Sequence, residues 1–350
     1  MAVHLKTYKG KSVFVGLSGG VDSAVSAALL QKAGAIVTGV FIQGYYPPEM
    51  PCTWRQDRKA AMSVAAHLRI PFVTLDASEE YKTSVIDYLV AEYRKGRTPN
   101  GDIFCNRDVK FGAFYRYAMA HGADYIATGH YAKNEDGRLF RGADETKDQS
   151  YFLWAIRAEV LASVIFPIGG MQKSHVRTLA KKLTLPNAGK RDSQGICFLG
   201  SVSVLDFLQR EIGSFCGLAY LVDGEVVGTH RGAVLYTIGE RVALTGAFGG
   251  PWYVVEKDMQ KNVLTVSRQS GSTTKEKTSI ELLSLNLLSP LRDTSLITAQ
   301  YRYHGSKIQG YFNVATKSFI SNAPLPGDIA PGQSLVIYSG EECIGGGIIA

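Results

Sequence analysis

VGLSGGVDSAVSAALL, Val15–Leu30, is the stretch on which the fold turns. Ser18-Gly19-Gly20-Val21-Asp22-Ser23 lies between the apolar run SVFVGL and a pattern with apolar residues at Val21, Val25, Ala28 and Leu29, one face of a helix. A glycine turn there lets the backbone approach a ligand closely, and the N–H groups of a helix N-terminus favour a phosphate or pyrophosphate. The Ser18 and Ser23 hydroxyls can add donors. No Gly-Lys-Ser/Thr follows, so the loop is not a Walker A motif, and the G-x-G-x-x-G spacing of a dinucleotide site is also absent. A carboxylate beside a bound phosphate is repulsive unless a cation is shared, so Asp22 points to Mg²⁺ held with pyrophosphate. The competing reading is a plain strand-to-helix turn that uses glycine for its geometry.

Outward from this loop, SVFVGL, AIVTGVFI, PFVTLD and DYIATGH read as strands buried on both faces, alternating with helices over Val21–Ala33, Arg55–Leu68, Glu79–Lys95 and Lys110–His121. That alternation predicts an α/β domain with a doubly wound parallel sheet, whose ligands bind at the carboxyl ends of the strands. Beyond about Gly213 the pattern becomes short strands broken by Asp-Gly, Gly and Asn turns, and the polar stretch QSGSTTKEKTS (Gln269–Ser279) reads as a linker to a second β-rich unit. The expected domains are 1–212, catalytic and α/β; 213–271, β-rich; and 272–350, a small β-barrel.

Composition sets wide bounds. Of the 350 residues, 45% are hydrophobic and 20% charged, as in ordinary globular chains. The net charge of +7 is a mild bias toward a polyanionic partner. No apolar run approaches the roughly 18 residues needed to span a bilayer, and MAVHLKTYKGKS lacks the apolar stretch of a signal peptide. A cytoplasmic monomer with no membrane association is expected. The cysteines Cys52, Cys105, Cys197, Cys216 and Cys343 are odd in number and form no C-x-x-C pair, which argues against a secreted disulfide scaffold, a zinc knuckle and a thioredoxin-like dithiol.

RTPNGDIFCNRDVKFGAF places Asp102 and Cys105 three residues apart, on an expected loop before a helix, and KRDSQGICF carries Cys197 beside Lys190 and Arg191. A helix N-terminus or nearby cations favour a thiolate, whereas a free cysteine is as often a small buried apolar residue. In this order, TPNGDIFCNRDVKF, ADYIATGHYA, KDQSYFL and DSQGICF resemble the tRNA-specific 2-thiouridylase (MnmA/TrmU) family, within the ATP pyrophosphatase (PP-loop) superfamily that SGGVDS already suggests. YTIGER, GGPWYVVEKD, PGQS and the terminal GGGII extend the likeness over nearly the whole chain.

The resemblance implies an enzyme, a tRNA uridine 2-sulfurtransferase. ATP would activate the C2 oxygen of the wobble uridine (position 34), and sulfur from a cysteine persulfide would replace it, leaving 2-thiouridine, AMP and pyrophosphate. By the motifs, Cys105 would be the nucleophile, Cys197 the persulfide carrier and Asp102 a general acid/base or base-positioning group. Gly16 and Leu17, with Ser18 to Ser23, Ile42 and Gly129, would bind ATP. Asn100, Gly101 and Asp102 would touch the base, inside a pocket for a flipped nucleotide. His130, Lys147, Asp148, Gln149, Gln300, Tyr301 and Gln333 would contact tRNA. The partners implied are tRNAs of the Lys, Glu and Gln type and a persulfide donor. The family also admits a [4Fe–4S] cluster on Asp102, Cys105 and Cys197.

Lys173, Arg177 and Lys181 recur every four residues, so one basic helix face could lie on RNA phosphates. The YRYHGSK stretch, with Tyr301, Arg302 and Tyr303, suits stacking and phosphate contacts equally with a barrel core. Three positions depart from the family pattern. Gly101 replaces a usual proline and should loosen its loop, Val242-Ala243 replaces a lysine-glycine pair, and Gln300 stands where arginine is usual. A PP-loop synthetase acting on a small molecule and a non-catalytic tRNA-binding relative remain alternative readings.

Overall fold

Strand β1 (Ser12–Gly16) runs through the centre of a five-stranded, wholly parallel sheet of order β3-β2-β1-β4-β7. Its neighbours are β2 (Ile36–Gln43), β3 (Phe72–Asp76), β4 (Tyr125–Ala127) and the short β7 (Val164–Ile165), which the sequence reading had not foreseen. The computed structural model describes residues 5–46, 54–191, 203–213, 215–271, 277–291 and 296–350. Cys52 and Cys197 lie outside them, as do residues 272–276 of the expected linker. The expectation of strands buried on both faces fails for β3. It is the sheet edge, its apolar Phe72, Val73 and Leu75 are only partly covered, and Thr74 and Asp76 are exposed.

Four helices of this domain position the site. Helix α1 (Val21–Lys32) follows β1 directly, and α2 (Trp54–Leu68) covers the same layer. Helix α3 runs over 78–94, with wide π-type turns at Lys82–Asp87. Helix α4 runs over 101–120, with wide turns at Cys105–Ala113. The sequence had placed Asp102 and Cys105 on a loop; they belong to the first turns of α4. Its start is set by Asn100, in extended backbone after Pro99, whose Oδ1 accepts the Asp102 N–H at 3.1 Å. Gly101 is buried, and a Cβ there would meet Leu89 Cδ1 at 3.1 Å, so this glycine is a packing position rather than a loosened loop.

The second sheet joins β8 (Gly217–Leu221), β9 (Val226–His230), β10 (Arg241–Val242), β11 (Trp252–Asp258) and β12 (Val263–Ser267) in the order β10-β11-β12-β8-β9, a half-barrel. The third holds β13 (Ser279–Leu287), β14 (Ile297–Gln300), β15 (Lys307–Asn313), β16 (Ser318–Ser321), β17 (Ser334–Ser339) and β18 (Glu342–Ile349). Pairing of β13 with β18 closes these six into a barrel.

A hairpin from the first domain, β5 (Ala132–Glu135) and β6 (Arg138–Arg141), adds to β18 through Phe140 opposite Glu342. Its turn residues Asp136 and Gly137 both have positive φ (52° and 79°), as a two-residue type I′ turn requires. Arg138 pairs with Glu342 across the joint. Among the described residues, no helix is long and apolar enough to cross a membrane.

Candidate active site

The glycine loop stands where the sheet reverses its strand order, between the carboxyl ends of β1 and β4. Gly19 has φ +76°, and a Cβ there would sit 2.5 Å from the Asp57 carbonyl oxygen, so the turn admits only glycine. Gly20 precedes α1 in extended backbone. The Ser18 and Ser23 hydroxyls are 3.3 Å apart, and Ser23 Oγ donates to the Gly20 carbonyl at 3.1 Å. From β4, Gly129 presses on the first turn of α1: a Cβ would lie 2.6 Å from the Ser23 nitrogen. Gly16 approaches Ile42 and Phe114, at 3.8 and 3.7 Å from the position of its absent Cβ.

The cation beside Asp22 is a lysine. Lys173 Nζ donates to both carboxylate oxygens of Asp22 at 2.8 Å, and the Tyr131 hydroxyl donates to Oδ1 at 2.8 Å. Lys173 opens α5 (Lys173–Lys182), the helix expected to lie on tRNA phosphates. Instead, its Lys173 and Arg177 turn toward the loop, Arg177 donating to the Lys190 carbonyl; Lys181 is exposed. Lys190 pairs with Asp57 at 2.7 Å, and Asn187 Nδ2 donates to the Gly19 carbonyl at 3.0 Å. The Asp22 carboxylate is thus held by an ammonium group and a hydroxyl in this structure.

At the other end of α4 a cavity of about 550 Å³ opens where the three sheets meet. Asn100, Gly101 and Asp102 form one wall, Phe207 and Leu208 of α6 (Val204–Ile212) a second, Thr237 and Glu240 a third, and Arg302, Tyr303 and Gln333 a fourth. Segment 98–100 is held from both sides. The Thr98 N–H donates to the Pro331 carbonyl at 2.8 Å, Gln333 Nε2 donates to the Thr98 carbonyl at 2.6 Å, and Thr98 Oγ1 lies 3.2 Å from Thr237 Oγ1. Burial raises the Asp102 carboxyl above its ordinary range, against a smaller opposing effect of Lys110. Cys105 is buried one helical turn on, packed in the apolar core.

Residues 11–201 match the family model described as a tRNA methyl transferase HUP domain, 205–268 its PRC-barrel domain, and 277–349 an aminomethyltransferase beta-barrel domain. The tRNA-specific 2-thiouridylase MnmA of Streptococcus thermophilus is 41% identical over 96% of this chain and 94% of its own. That of Streptococcus mutans is also 41% identical, with the same coverage. The chain belongs to the tRNA-specific 2-thiouridylase family. Among solved structures, NMN synthetase from Francisella tularensis is similar over 58% of this chain and 77% of its own, at 19% identity and a TM-score of 0.38.

Several residues matched to tRNA contacts in the 2-thiouridylase pattern form internal brackets here. His130 is buried against Phe111 and Phe166, its Nδ1 2.7 Å from Thr128 Oγ1, and burial with the charge of Lys110 pushes its pKa well below the usual imidazole value. Asp148 accepts from the Gly142 and Ser150 N–H groups, from Ser150 Oγ and, at 3.2 Å, from Arg141. Gln149 accepts the Tyr131 N–H at 3.0 Å, and Lys147 is partly exposed. Gln300 is buried, accepting from Arg141 and donating to the Arg302 carbonyl. Tyr301 is core, its hydroxyl donating to Asp328. The Gln300 and Tyr301 side chains are therefore buried among protein groups in this structure. The substituted Val242 is buried on β10, opposite Trp252.

Removal of a buried charge partner leaves the other unsatisfied. Asp148→Ala should therefore cost about 3–5 kcal/mol of stability, read from the urea unfolding midpoint.

Tyr131, Lys173, Asn187 and Thr98 join the site without having been singled out for it. Tyr131 and Asn187 stand inside or beside quoted motifs, ADYIATGHYA and KRDSQGICF, which was the available signal. Of the three residues that the resemblance implies for a cluster, Asp102 and Cys105 stand on the first turns of one helix, and Cys197 lies outside the described residues. None of the steps proposed here requires one.

Proposed function

We propose that the protein is an ATP-dependent tRNA uridine 2-sulfurtransferase acting on the wobble uridine. One observation carries this reading: helix α4 joins a pyrophosphate-type loop to a base-sized cavity. Its Phe114 packs at Gly16 below the loop, while Asp102 at its start lines the cavity. The 550 Å³ cavity is within the usual range for small-ligand sites.

ATP, entering with Mg²⁺, sits with its phosphates on Ser18–Ser23. The uridine, extruded from the anticodon loop, enters between Asn100–Asp102 and the β-domains. Its C2 oxygen bonds to the α-phosphorus and pyrophosphate leaves, which turns a poor leaving group into AMP. The terminal sulfur of a Cys197 persulfide then attacks C2 and AMP departs. The Cys105 thiolate attacks the Cys197 sulfur, releasing 2-thiouridine and leaving a Cys105–Cys197 disulfide for an external thiol to reduce. Asp102, with its raised carboxyl pKa, can carry a proton at the base or orient it. The methyl-transfer wording of the family model does not fit this loop, since methyl transfer has no pyrophosphate to release.

The substrates of this reading are tRNAs of the Lys, Glu and Gln type, and the sulfur comes from a persulfide donor, in the cytoplasm. The test is mass spectrometry of nucleosides from unmodified tRNA incubated with the protein, MgATP and a persulfide donor. 2-Thiouridine at position 34, dependent on ATP, is expected; its absence with a fully folded protein and an active donor would reject the reading.

A further inference from the structure

The loop SGGVDS carries no basic residue, and neither does the rest of 12–30. The ammonium nearest its carboxylate comes from 151 residues downstream. We propose that Lys173 is a catalytic residue of adenylation, binding the β- and γ-phosphates of ATP and meeting the negative charge that grows on departing pyrophosphate. This rests on the reading of the loop as an ATP site and deepens it.

The placement of Lys173 is built from several sides. Its backbone N–H donates to Asp144 Oδ2 at 2.9 Å, and the preceding Gln172 side chain donates to the Ala143 carbonyl at 2.9 Å. The side chain is only 14% exposed and lies over the Tyr131 ring, 5.6 Å from its centroid. Tyr131 in turn holds the same Asp22 carboxylate. A cation as first residue of a helix opposes the helix dipole, so local helix stability does not account for this position. A role at the loop does. Nearby, Lys190 pairs with Asp57, whose carbonyl lies against Gly19, and Arg177 donates to the Lys190 carbonyl.

Three N–H bonds radiate from one ammonium nitrogen, so Lys173 can serve Asp22 and a phosphate oxygen together. In the step, the uridine oxygen bonds to the α-phosphorus. The bond from that phosphorus to the bridging oxygen breaks, and its electron pair leaves with pyrophosphate. Lys173 stays protonated throughout, as a fixed positive charge aimed at the leaving group.

The test compares full-length wild type, Lys173→Gln and Lys173→Arg by calorimetric titration with ATP and with AMP, and by tRNA-dependent pyrophosphate release. Lys173→Gln should lose about tenfold or more of the preference for ATP over AMP, keep its affinity for AMP, and slow pyrophosphate release on the order of 10²–10³-fold. Lys173→Arg should retain most of the preference. A Lys173→Gln protein with undiminished preference would overturn the proposal, as would a wild type that does not distinguish ATP from AMP. If Lys173→Gln melts before it can be titrated, Asp22→Asn/Lys173→Gln removes both charges and carries the same comparison. A wild type that prefers ATP and releases pyrophosphate but makes no 2-thiouridine would sink the thiolation reading and leave the role of Lys173 standing.

Discussion

Cys105→Ala should stop release of 2-thiouridine, by on the order of 10³-fold or more, while a single round of tRNA-dependent pyrophosphate release still occurs. The asymmetry follows from where the residue stands. Cys105 lies one turn from Asp102 at the cavity end of α4, far along the helix from the loop that would bind ATP. Loss of its sulfur leaves the Ser18–Ser23 turn, Gly129 and Asp22 unchanged. The small volume removed from the core should lower stability by only about 1 kcal/mol, so the loss would not be one of folding. Mass spectrometry of the stalled protein should find the transferred sulfur bridging Cys197 and the tRNA. Equal loss of pyrophosphate release and thiolation would show instead that Cys105 acts by packing α4 in place.

The second large effect is expected at Gly129→Ala. The new methyl would lie 2.6 Å from the Ser23 nitrogen, 2.8 Å from the Asp22 carbonyl carbon and 3.0 Å from Ser23 Cα. All three are backbone atoms, so no side chain can rotate away; β4 and the first turn of α1 must separate. That separation opens the cradle of N–H groups on which a phosphate would sit. ATP affinity should fall at least about a hundredfold, measured by titration, with a stability loss of about 1–3 kcal/mol from overpacking. Gly189→Ala is the control: nothing stands within 4 Å of its Cβ position, and neither binding nor stability should change.

The loop, its strand and its helix were legible because a glycine turn between an apolar run and a helical period is a local signal. β1 to β4 and α1 to α3 follow the sequence reading closely for the same reason, whereas α4 begins at Gly101 and not at the expected Lys110. What the sequence did not carry was the partner of each face. Periodicity grouped Lys173, Arg177 and Lys181 correctly on a helix but could not say that the first two would meet Asp22 and Lys190 rather than solvent. The hairpin β5–β6 was missed although Asp136-Gly137 is a strong turn signal. Its strands are short and polar, with Lys133, Asn134 and Glu135 giving no apolar alternation, and its partner strand is about two hundred residues away. The cavity was half legible: Asn100–Asp102 came from one motif, while Thr237, Glu240, Arg302 and Gln333 reach it from separate segments. The burial of Gln300 and Tyr301 was not legible because alternation along a strand does not tell a barrel interior from an outward-facing side.

The hairpin has a consequence for how this chain can be divided. β18 pairs with β13 from Gly345 onward, and β6 meets it at Glu342, on the stretch β13 leaves uncovered. The barrel, closed by β13 and β18, is thus extended at Glu342 by a strand it does not encode. Cut away from the first domain, the barrel would expose the start of β18 as a short edge open to stray strand addition.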